Sequence, residues 1–225
     1  MTGRTTPLHV YAPEEFEDIL QRMLDFFCGG LEYPVVFHAV DTCSHRIVYE
    51  DKSLYVYSLP LEHRVPCCGY LFVEKNTLPH IRRDMVDYYK IPFSQIYSIK
   101  NGADGLTPEG EVVPNAELVS PPDKPRSYAY CSDTRYIPNL HKLIMGVNLL
   151  YHESTYESTC QALSHKYYHS TAAEAAMVAR DAQAKHLMLG HYSARYDDES
   201  VLLREAQTIF PNVTLAQEGL VINVI

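Results

Sequence analysis

The stretch that decides the fold reads NLLYHEST over residues 148–155, HSTAAEAAMVARDAQAK over residues 169–185 and HLMLGH over residues 186–191. The first and last segments begin as short apolar runs, which predict strands, and the alanine-rich segment between them predicts a helix. Strands that alternate with helices are typical of a sheet covered by helices. The sequence therefore predicts a mixed α/β fold around this stretch.

The same alternation continues on both sides of it. Thr171 and Glu174 match a capping box, so the central helix is predicted to begin at Thr171 and to run to Lys185. Further elements are predicted as strands at 128–131, 213–216 and 220–224, and as a helix at 199–209.

The N-terminal third has a different pattern. A short strand is predicted at Leu8–Tyr11, and an amphipathic helix is predicted from Pro13 to the pair Gly29-Gly30. Short β-rich runs follow, for which antiparallel pairing is expected: 35–40, 46–50, 54–59 and 70–73.

Residues 75–125 are rich in proline and in glycine-containing turns, and predict a protruding, loosely packed insertion. Because it is too long for an ordinary loop, we expect it to have a function or some structure of its own. Its first part interleaves basic and aromatic residues: Lys75, Arg82, Arg83, Lys90 and Lys100 with Tyr88, Tyr89, Phe93 and Tyr97. Two interpretations stay open, namely a local phosphate-binding surface and a solvated helix face, and composition alone favours the second.

Composition sets wider limits. A chain of 225 residues, 46% hydrophobic and 21% charged, fits one domain with a single core, and no run of about 18 apolar residues suggests a membrane span. A soluble, cytoplasmic protein is therefore expected.

The six cysteines show no C-x-x-C spacing and are predicted to be reduced thiols. The net charge of −9 argues mildly against a nucleic-acid partner.

Titratable residues stand at the ends of four apolar runs: Glu62-His63, Ser132-Asp133, His152-Glu153 and Gly190-His191. Ligands of open α/β sheets bind beyond the carboxyl ends of the strands, so these groups could converge on one site. Imidazole and carboxylate suit zinc and similar metals. The alternative for any single histidine is a surface or hydrogen-bonded residue. His169 precedes the N-terminus of the capped helix. There it either lies beside an anion bound at the helix N-terminus or packs over the cap.

Five segments in this order resemble the ribonuclease Z family of the metallo-β-lactamase superfamily. They are Pro60-Leu61-Glu62-His63 with Gly69-Tyr70, Cys131-Ser132-Asp133-Thr134-Arg135, His152-Glu153-Ser154-Thr155, His169-Ser170-Thr171-Ala172 and Gly190-His191-Tyr192-Ser193-Ala194-Arg195-Tyr196. The resemblance runs from about Pro7 to the C-terminus. It implies the αβ/βα sandwich of that superfamily as one domain over residues 1–225, with an arm at about 75–105.

The resemblance also implies a function, the zinc-dependent removal of 3′ trailers from precursor tRNA by a homodimer. Two zinc ions per subunit activate water and neutralise charge on the phosphodiester. By the family's pattern His63 binds one zinc ion, Asp133 bridges both and His191 binds the second. His169, supported by Glu153, protonates the leaving oxygen, and the arm residues Arg82, Arg83, Lys90 and Lys100 are candidates for tRNA contacts.

Three features depart from the family's pattern. The H-x-H-x-D-H motif and the N-terminal glycine-containing strand region do not occur, so a partial metallo-β-lactamase fold is predicted. The arm has Pro92-Phe93-Ser94 where the family has Gly-Pro, and the late A-x-D-G loop reads Ala216-Gln217-Glu218-Gly219. We expect an N-terminally truncated chain that binds metal weakly and cleaves little or nothing.

Two other functions fit the same residues. The chain could be a non-catalytic RNA-binding or dimer-partner module in which the arm and the scaffold persist without the metal motif. It could also be another phosphodiesterase or sulfate ester hydrolase of the same fold, for which a basic, aromatic arm has no use.

Overall fold

The computed structural model describes residues 3–225, which divide into two units. Residues 74–125 form the second unit, and the other described residues belong to the first. In chain order the strands and helices are β1 (Leu8–Ala12), α1 (Glu17–Cys28), β2 (Val35–Ala39), β3 (Ile47–Glu50), β4 (Leu54–Pro60), β5 (Cys68–Glu74), β6 (His80–Ile81), α2 (Arg83–Tyr88), α3 (Ile96–Lys100), β7 (Gly105–Leu106), β8 (Val112–Val113), α4 (Asn115–Leu118), β9 (Val119–Ser120), β10 (Ser127–Cys131), β11 (Leu149–Glu153), α5 (Gln161–Tyr167), α6 (Ala172–Asp181), β12 (His186–Gly190), α7 (Ser200–Gln207) and β13 (Val213–Leu215).

A seven-stranded sheet in the order β13-β12-β11-β10-β5-β4-β3 organises the first unit. Strands β10 to β13 run parallel to one another, whereas β5 is antiparallel to β10 and β3 is antiparallel to β4. The predicted mixed sheet is therefore confirmed. Because β10, β11 and β12 are parallel, their carboxyl ends lie at one edge of the sheet.

Helix α6 covers this sheet, and its sequence explains how closely it packs. The side chains of Ala172, Ala175, Ala176 and Ala179 are fully buried in the main core, which also contains Leu150, Leu187, Leu189 and Leu202. The predicted capping box is present, with Glu174 N donating to the Thr171 hydroxyl and Thr171 N donating to the Glu174 carboxylate. The helix ends at Asp181, before the predicted Lys185, because Gln183 takes a left-handed conformation with φ 52°.

Strands β1 and β2 form a separate parallel pair, with Leu8 opposite Val35. The expected antiparallel pairing is correct for β3 and β4 but wrong for β2. Helix α1 is the physical reason. It carries the chain from the carboxyl end of β1 back to the end at which β1 begins, so that β2 runs in the same direction as β1. The helix ends at Gly29 in the left-handed region, as predicted, and it has no buried residue.

The second unit has its own small core, made of Ile91, Ile99, Val113 and Leu118. Two short antiparallel pairs, β6 with β9 and β7 with β8, hold it together with helices α2 to α4. The expectation that this segment has some structure of its own is confirmed, whereas the prediction of loose packing is wrong. The buried apolar residues of this core lie far apart in the sequence, between prolines. The spacing of hydrophobic residues within a short window therefore does not reveal the core.

The structure also corrects the C-terminal segment. No strand forms at 220–224 among the described residues, and Val221 and Ile225 are largely exposed. The side-chain amide of Asn148 donates to Ile225 O at 3.0 Å, so a side chain rather than a strand ladder holds the end of this segment. Helix α5 was not predicted.

All six cysteines are free, as expected. Within residues 3–225 no helix combines the length and apolar character needed to cross a membrane.

Candidate metal and acid–base site

Four polar side chains meet at the carboxyl edge of the parallel strands. Asp133 follows β10, Glu153 is the last residue of β11, His191 follows β12, and His169 precedes the N-cap of α6. One potential ligand atom from each residue lies within 4.8 Å of the others. The predicted convergence of strand ends is thus present for three of the four strand ends and for His169.

Asp133 and His191 form the exposed side of this cluster. His191 Nε2 lies 3.0 Å from Asp133 Oδ1, and the side chains are 38% and 48% exposed respectively. Both residues have positive φ, 57° for His191 and 55° for Asp133. A residue other than glycine in this region costs about 1–3 kcal/mol, and such residues concentrate at functional sites.

Glu153 forms the buried side of the cluster and is completely inaccessible to solvent. Its carboxylate accepts hydrogen bonds from Thr134 N at 2.6 Å, Ser170 N at 3.0 Å and the Thr155 hydroxyl at 2.6 Å. Burial opposes ionisation, but the hydrogen bonds with His169, Thr155 and Ser170 outweigh burial and lower the pKa of Glu153. Glu153 is therefore a carboxylate at neutral pH.

His169 connects this carboxylate to the open side of the site. Its Nδ1 lies 3.1 Å from Glu153 Oε1, and this hydrogen bond is the main reason why the pKa of His169 is raised. Burial and the charge of Arg64 act in the opposite direction, whereas Asp133 reinforces the rise. With Nδ1 held by Glu153, Nε2 is the nitrogen that can face a ligand or a substrate.

His63 reaches the same site from the end of β4 but stands outside the group of four. Its ring centroid is 5.2 Å from that of His169, and its Nδ1 lies 3.1 Å from the carbonyl oxygen of Tyr168. The backbone after β4 is tied to the end of β10 by two hydrogen bonds, from Glu62 N to the Thr134 hydroxyl and from Arg135 N to Glu62 O.

The donor set fits a transition-metal ion. Two imidazoles and two carboxylates are hard-to-borderline ligands of the kind that zinc accepts, and catalytic zinc sites use three protein ligands. The four groups offer enough donors for one such ion. Glu153 is the weakest candidate ligand because its oxygens already accept several hydrogen bonds. Asp133 and His191 are therefore the open donors of the four, with His63 beside them, and the one free nitrogen of His169 serves either as a further donor or as an acid.

The predicted substrate-binding residues Arg82, Arg83, Lys90 and Lys100 all belong to the second unit. Arg83 and Lys90 are exposed, whereas Arg82 is half-buried and pairs with Asp84 at 3.2 Å. Three of the four interleaved aromatic side chains are largely exposed, Tyr88 75%, Phe93 89% and Tyr97 77%. The fourth, Tyr89, is half-buried and donates to the Glu117 carboxylate at 2.7 Å.

Sequence reasoning missed the residues that hold the site in place. Thr134, Thr155 and Ser170 bind Glu153, and Ser170 Oγ also donates to Thr134 O at 2.8 Å. All three lie inside the segments that carry the family resemblance, one or two positions from a residue that was singled out. Thr134 and Ser170 give their backbone N–H groups to Glu153 and only Thr155 gives its hydroxyl, so proximity in the sequence was the one available signal.

Comparisons with known proteins give a consistent answer. No protein-family model matches the chain. Ribonuclease Z of Bacteroides fragilis is 51% identical over 223 residues, which cover 99% of this chain and 73% of that protein. Ribonuclease Z of Bacteroides thetaiotaomicron is 49% identical over 224 residues, with 100% and 71% covered, and that of Porphyromonas gingivalis is 45% identical over 218 residues, with 97% and 72% covered.

Solved structures with the same fold are more distant in sequence. The short form of human tRNase Z aligns with a TM-score of 0.61 at 21% identity, covering 97% of this chain and 68% of that one. The metallo-β-lactamase fold protein YhfI of Bacillus subtilis aligns with a TM-score of 0.59 at 15% identity, covering 98% and 66%. At these identities the likeness shows the fold alone, and it confirms the metallo-β-lactamase fold class.

Proposed function

Since the chain belongs to the ribonuclease Z family, we propose that its site hydrolyses a phosphodiester bond of RNA and removes 3′ trailers from precursor tRNA. The observation that carries this proposal is the convergence of Asp133, Glu153, His169 and His191 within 4.8 Å at one edge of the sheet. The site thus combines open metal donors with a buried acid–base pair.

The proposed cofactor is zinc, held by His63, Asp133 and His191, with the two ions per subunit that the family resemblance implies. When bound, the ions supply a nucleophile near neutral pH and neutralise charge on the phosphate. Asp133 would bridge the ions, and its half-exposed carboxylate next to His191 suits that role. Since the sequence has no H-x-H-x-D-H motif, this chain's own donors are few for two ions, and we expect weak metal binding.

His169 and Glu153 are proposed to supply the proton. The Glu153 carboxylate holds the imidazole by Nδ1 and raises its pKa, so that Nε2 retains a proton to higher pH. A proton held there can be given to the oxygen that leaves the phosphorus atom. Glu153 is the positioning partner in this pair because it is buried and cannot itself reach a substrate.

The second unit is proposed to contact the tRNA through Arg82, Arg83, Lys90 and Lys100. Lysine and arginine neutralise phosphates, and exposed aromatic rings provide faces on which bases stack. The exposure of Tyr88, Phe93 and Tyr97 supports this part of the proposal. A homodimer, which the resemblance implies, belongs to the same proposal.

The direct test is trailer removal from a precursor tRNA with zinc present. We expect slow cleavage that stops with a chelator and falls further in Asp133→Ala, while Asp181→Ala serves as a control because Asp181 pairs with Arg180 away from the cluster. Cleavage that persists at the same rate in Asp133→Ala would contradict the proposal.

A second candidate is a non-catalytic RNA-binding or dimer-partner module. The missing H-x-H-x-D-H motif and the separate core of the second unit favour it. This function predicts precursor tRNA binding that is unchanged by Asp133→Ala and no cleavage at any zinc concentration.

A further inference from the structure

We propose that His9 and His38 form a separate metal site, a two-histidine chelate for a divalent transition-metal ion that takes right-angled bonds, such as Ni²⁺ or Cu²⁺. The site lies on the parallel pair of β1 and β2, and neither residue belongs to the cluster of four at the ends of β10 to β12. The proposal is therefore independent of the proposed function.

The register of the two strands brings the histidines together. Tyr11 is opposite His38, and His9 is opposite Val36, so His9 and His38 are diagonal neighbours in the pair. Residues two apart on a strand point to the same face, which puts both imidazoles and the Tyr11 ring on one face. Ring side chains at diagonal positions are long enough to reach each other.

The His38 ring is held in place by its neighbours. Its centroid lies 4.4 Å from that of Tyr11 with an interplanar angle of 8°, and 5.1 Å from that of His9 with an angle of 29°. Tyr11 is fixed in turn, since its carbonyl oxygen accepts a hydrogen bond from the Tyr70 hydroxyl at 2.8 Å and its ring meets Tyr49 edge-on at 5.9 Å. His38 is half-buried, whereas His9 is exposed and its ring can turn towards an ion. One of the two donors is therefore ordered before an ion binds.

The distance between the two nitrogens suits one ion. His9 Nδ1 lies 2.8 Å from His38 Nε2. Two bonds of about 2.0 Å from one ion place their nitrogens about 2.8 Å apart at a right angle and about 3.3 Å apart at the tetrahedral angle. The observed distance therefore matches Ni²⁺ or Cu²⁺ more closely than tetrahedral zinc. Imidazole is a good ligand for both ions.

The alternative is an ordinary hydrogen bond between two neutral rings, in which one nitrogen donates and the other accepts. An ion needs a lone pair on both nitrogens. The donating ring meets this need when it carries its proton on its other nitrogen, which is the second tautomer of a neutral imidazole. The hydrogen-bonded pair can therefore become a chelate without a change in the charge of the protein, and water completes the coordination of the ion.

A bound ion would connect two strands that have few other links. His9 and His38 are 29 positions apart, with α1 between them, and β1 and β2 form a sheet of only two strands. Sheets of two strands are marginally stable by themselves. An ion that binds only the folded arrangement stabilises it, so the site would fasten β1 to β2.

Calorimetric titration of the tag-free full chain with Ni²⁺ tests the site. Ni²⁺ is the probe because Cu²⁺ oxidises free thiols, and all proteins carry Asp133→Ala and His191→Ala so that the cluster does not compete. We expect one Ni²⁺ per chain in this background. Affinity should fall at least about 10–100-fold in His9→Gln and in His38→Gln, since loss of a ligand costs at least as much as loss of the group that supports it.

His45→Gln is the matched control. The His45 ring stacks on Tyr57 with centroids 5.2 Å apart, much as His38 stacks on Tyr11, but its Nδ1 is bonded to Ser58 O at 2.8 Å. This variant should bind Ni²⁺ like the background protein.

Two further measurements locate the ion and its effect. Paramagnetic Ni²⁺ should broaden the backbone amide NMR signals of β1 and β2 before those of β12, and it should raise the midpoint of thermal unfolding in the background protein but not in His9→Gln. No Ni²⁺ binding in the background protein, undiminished affinity in His9→Gln or His38→Gln, or broadening centred away from β1 and β2 would overturn the proposal. Because the background lacks Asp133 and His191, none of these results bears on the proposed function.

Discussion

His191 Nε2 lies 3.0 Å from Asp133 Oδ1, although the strands that precede these residues, β12 and β10, are not neighbours in the sheet. Strand β11 lies between them and ends in the buried Glu153. The contact between His191 and Asp133 therefore spans the carboxyl end of β11. Each residue has a positive φ at this point, so the backbone turns away from the strand direction just where the two side chains meet.

This contact gives a first prediction for Asp133→Asn. An exposed pair of this kind contributes about 0–1 kcal/mol, so we expect the free energy of unfolding of the metal-free protein to change little. Zinc affinity should fall by more than the roughly 10–100-fold that loss of a supporting residue costs, because a charged donor is removed. Calorimetric titration and urea unfolding measure the two effects. Asp181→Asn, which changes a half-buried carboxylate paired with Arg180, is the matched control and should bind zinc like the wild type.

In contrast to Asp133→Asn, Glu153→Gln should lower the free energy of unfolding of the protein. The amide has one oxygen, so its nitrogen must face at least one of the donors that now point at the carboxylate, Thr134 N, Ser170 N or the Thr155 hydroxyl. We expect the free energy of unfolding to fall by about 1–3 kcal/mol, as for a buried hydrogen-bonding group left unsatisfied. Urea denaturation tests this. Glu62→Gln, which loses only an exposed pair with Arg135, should stay within about 0.5 kcal/mol of the wild type, and equal losses in both variants would refute the argument.

Gly69→Ala should destabilise the sheet between β5 and β10. A Cβ at this position would collide with the backbone carbonyl oxygen of Tyr130, and Gly69 is fully packed. Backbone atoms cannot move aside as the end of a flexible side chain can, so we expect a loss of about 1–3 kcal/mol in the free energy of unfolding. Thermal and urea unfolding give the measurement, and a variant as stable as the wild type would show that the two strands separate without cost.

Removal of the second unit separates RNA binding from metal binding. Val73 and Ser127 lie opposite each other in the antiparallel register of β5 and β10, so a hairpin loop of about two to five residues can replace residues 74–125. We expect this variant to fold and to bind zinc like the full chain, because the cluster lies in the first unit. Its affinity for precursor tRNA should fall, which a gel-shift titration would measure.

The same variant tests the alternative of a small-molecule hydrolase. Activity on a small chromogenic phosphodiester should survive the removal of residues 74–125, whereas trailer cleavage should be lost if the unit binds tRNA. Undiminished tRNA affinity in the shortened chain would exclude the second unit as the RNA-binding surface.

Several elements could be predicted because their signals are local. The capping box of Thr171 and Glu174 is confirmed since it depends on residues three apart, and the glycine end of α1 is confirmed for the same reason. Strand pairing has no such local signal. Strand β2 was predicted but pairs in parallel with β1, and the strand predicted at 220–224 does not form, because pairing depends on which distant segment is adjacent.

The sequence by itself determined the chemistry of this protein, since the strand ends that carry His63, Asp133, Glu153 and His191 can be read from apolar runs and from the residue that follows each run. Only the tertiary structure decided the distances. It placed Asp133 against His191, put His63 beside His169 and gave Thr155 three partners. The physical reason is that composition and periodicity act over a few residues, whereas hydrogen bonds between residues 36 or 105 positions apart depend on the register of strands and on the turns between them.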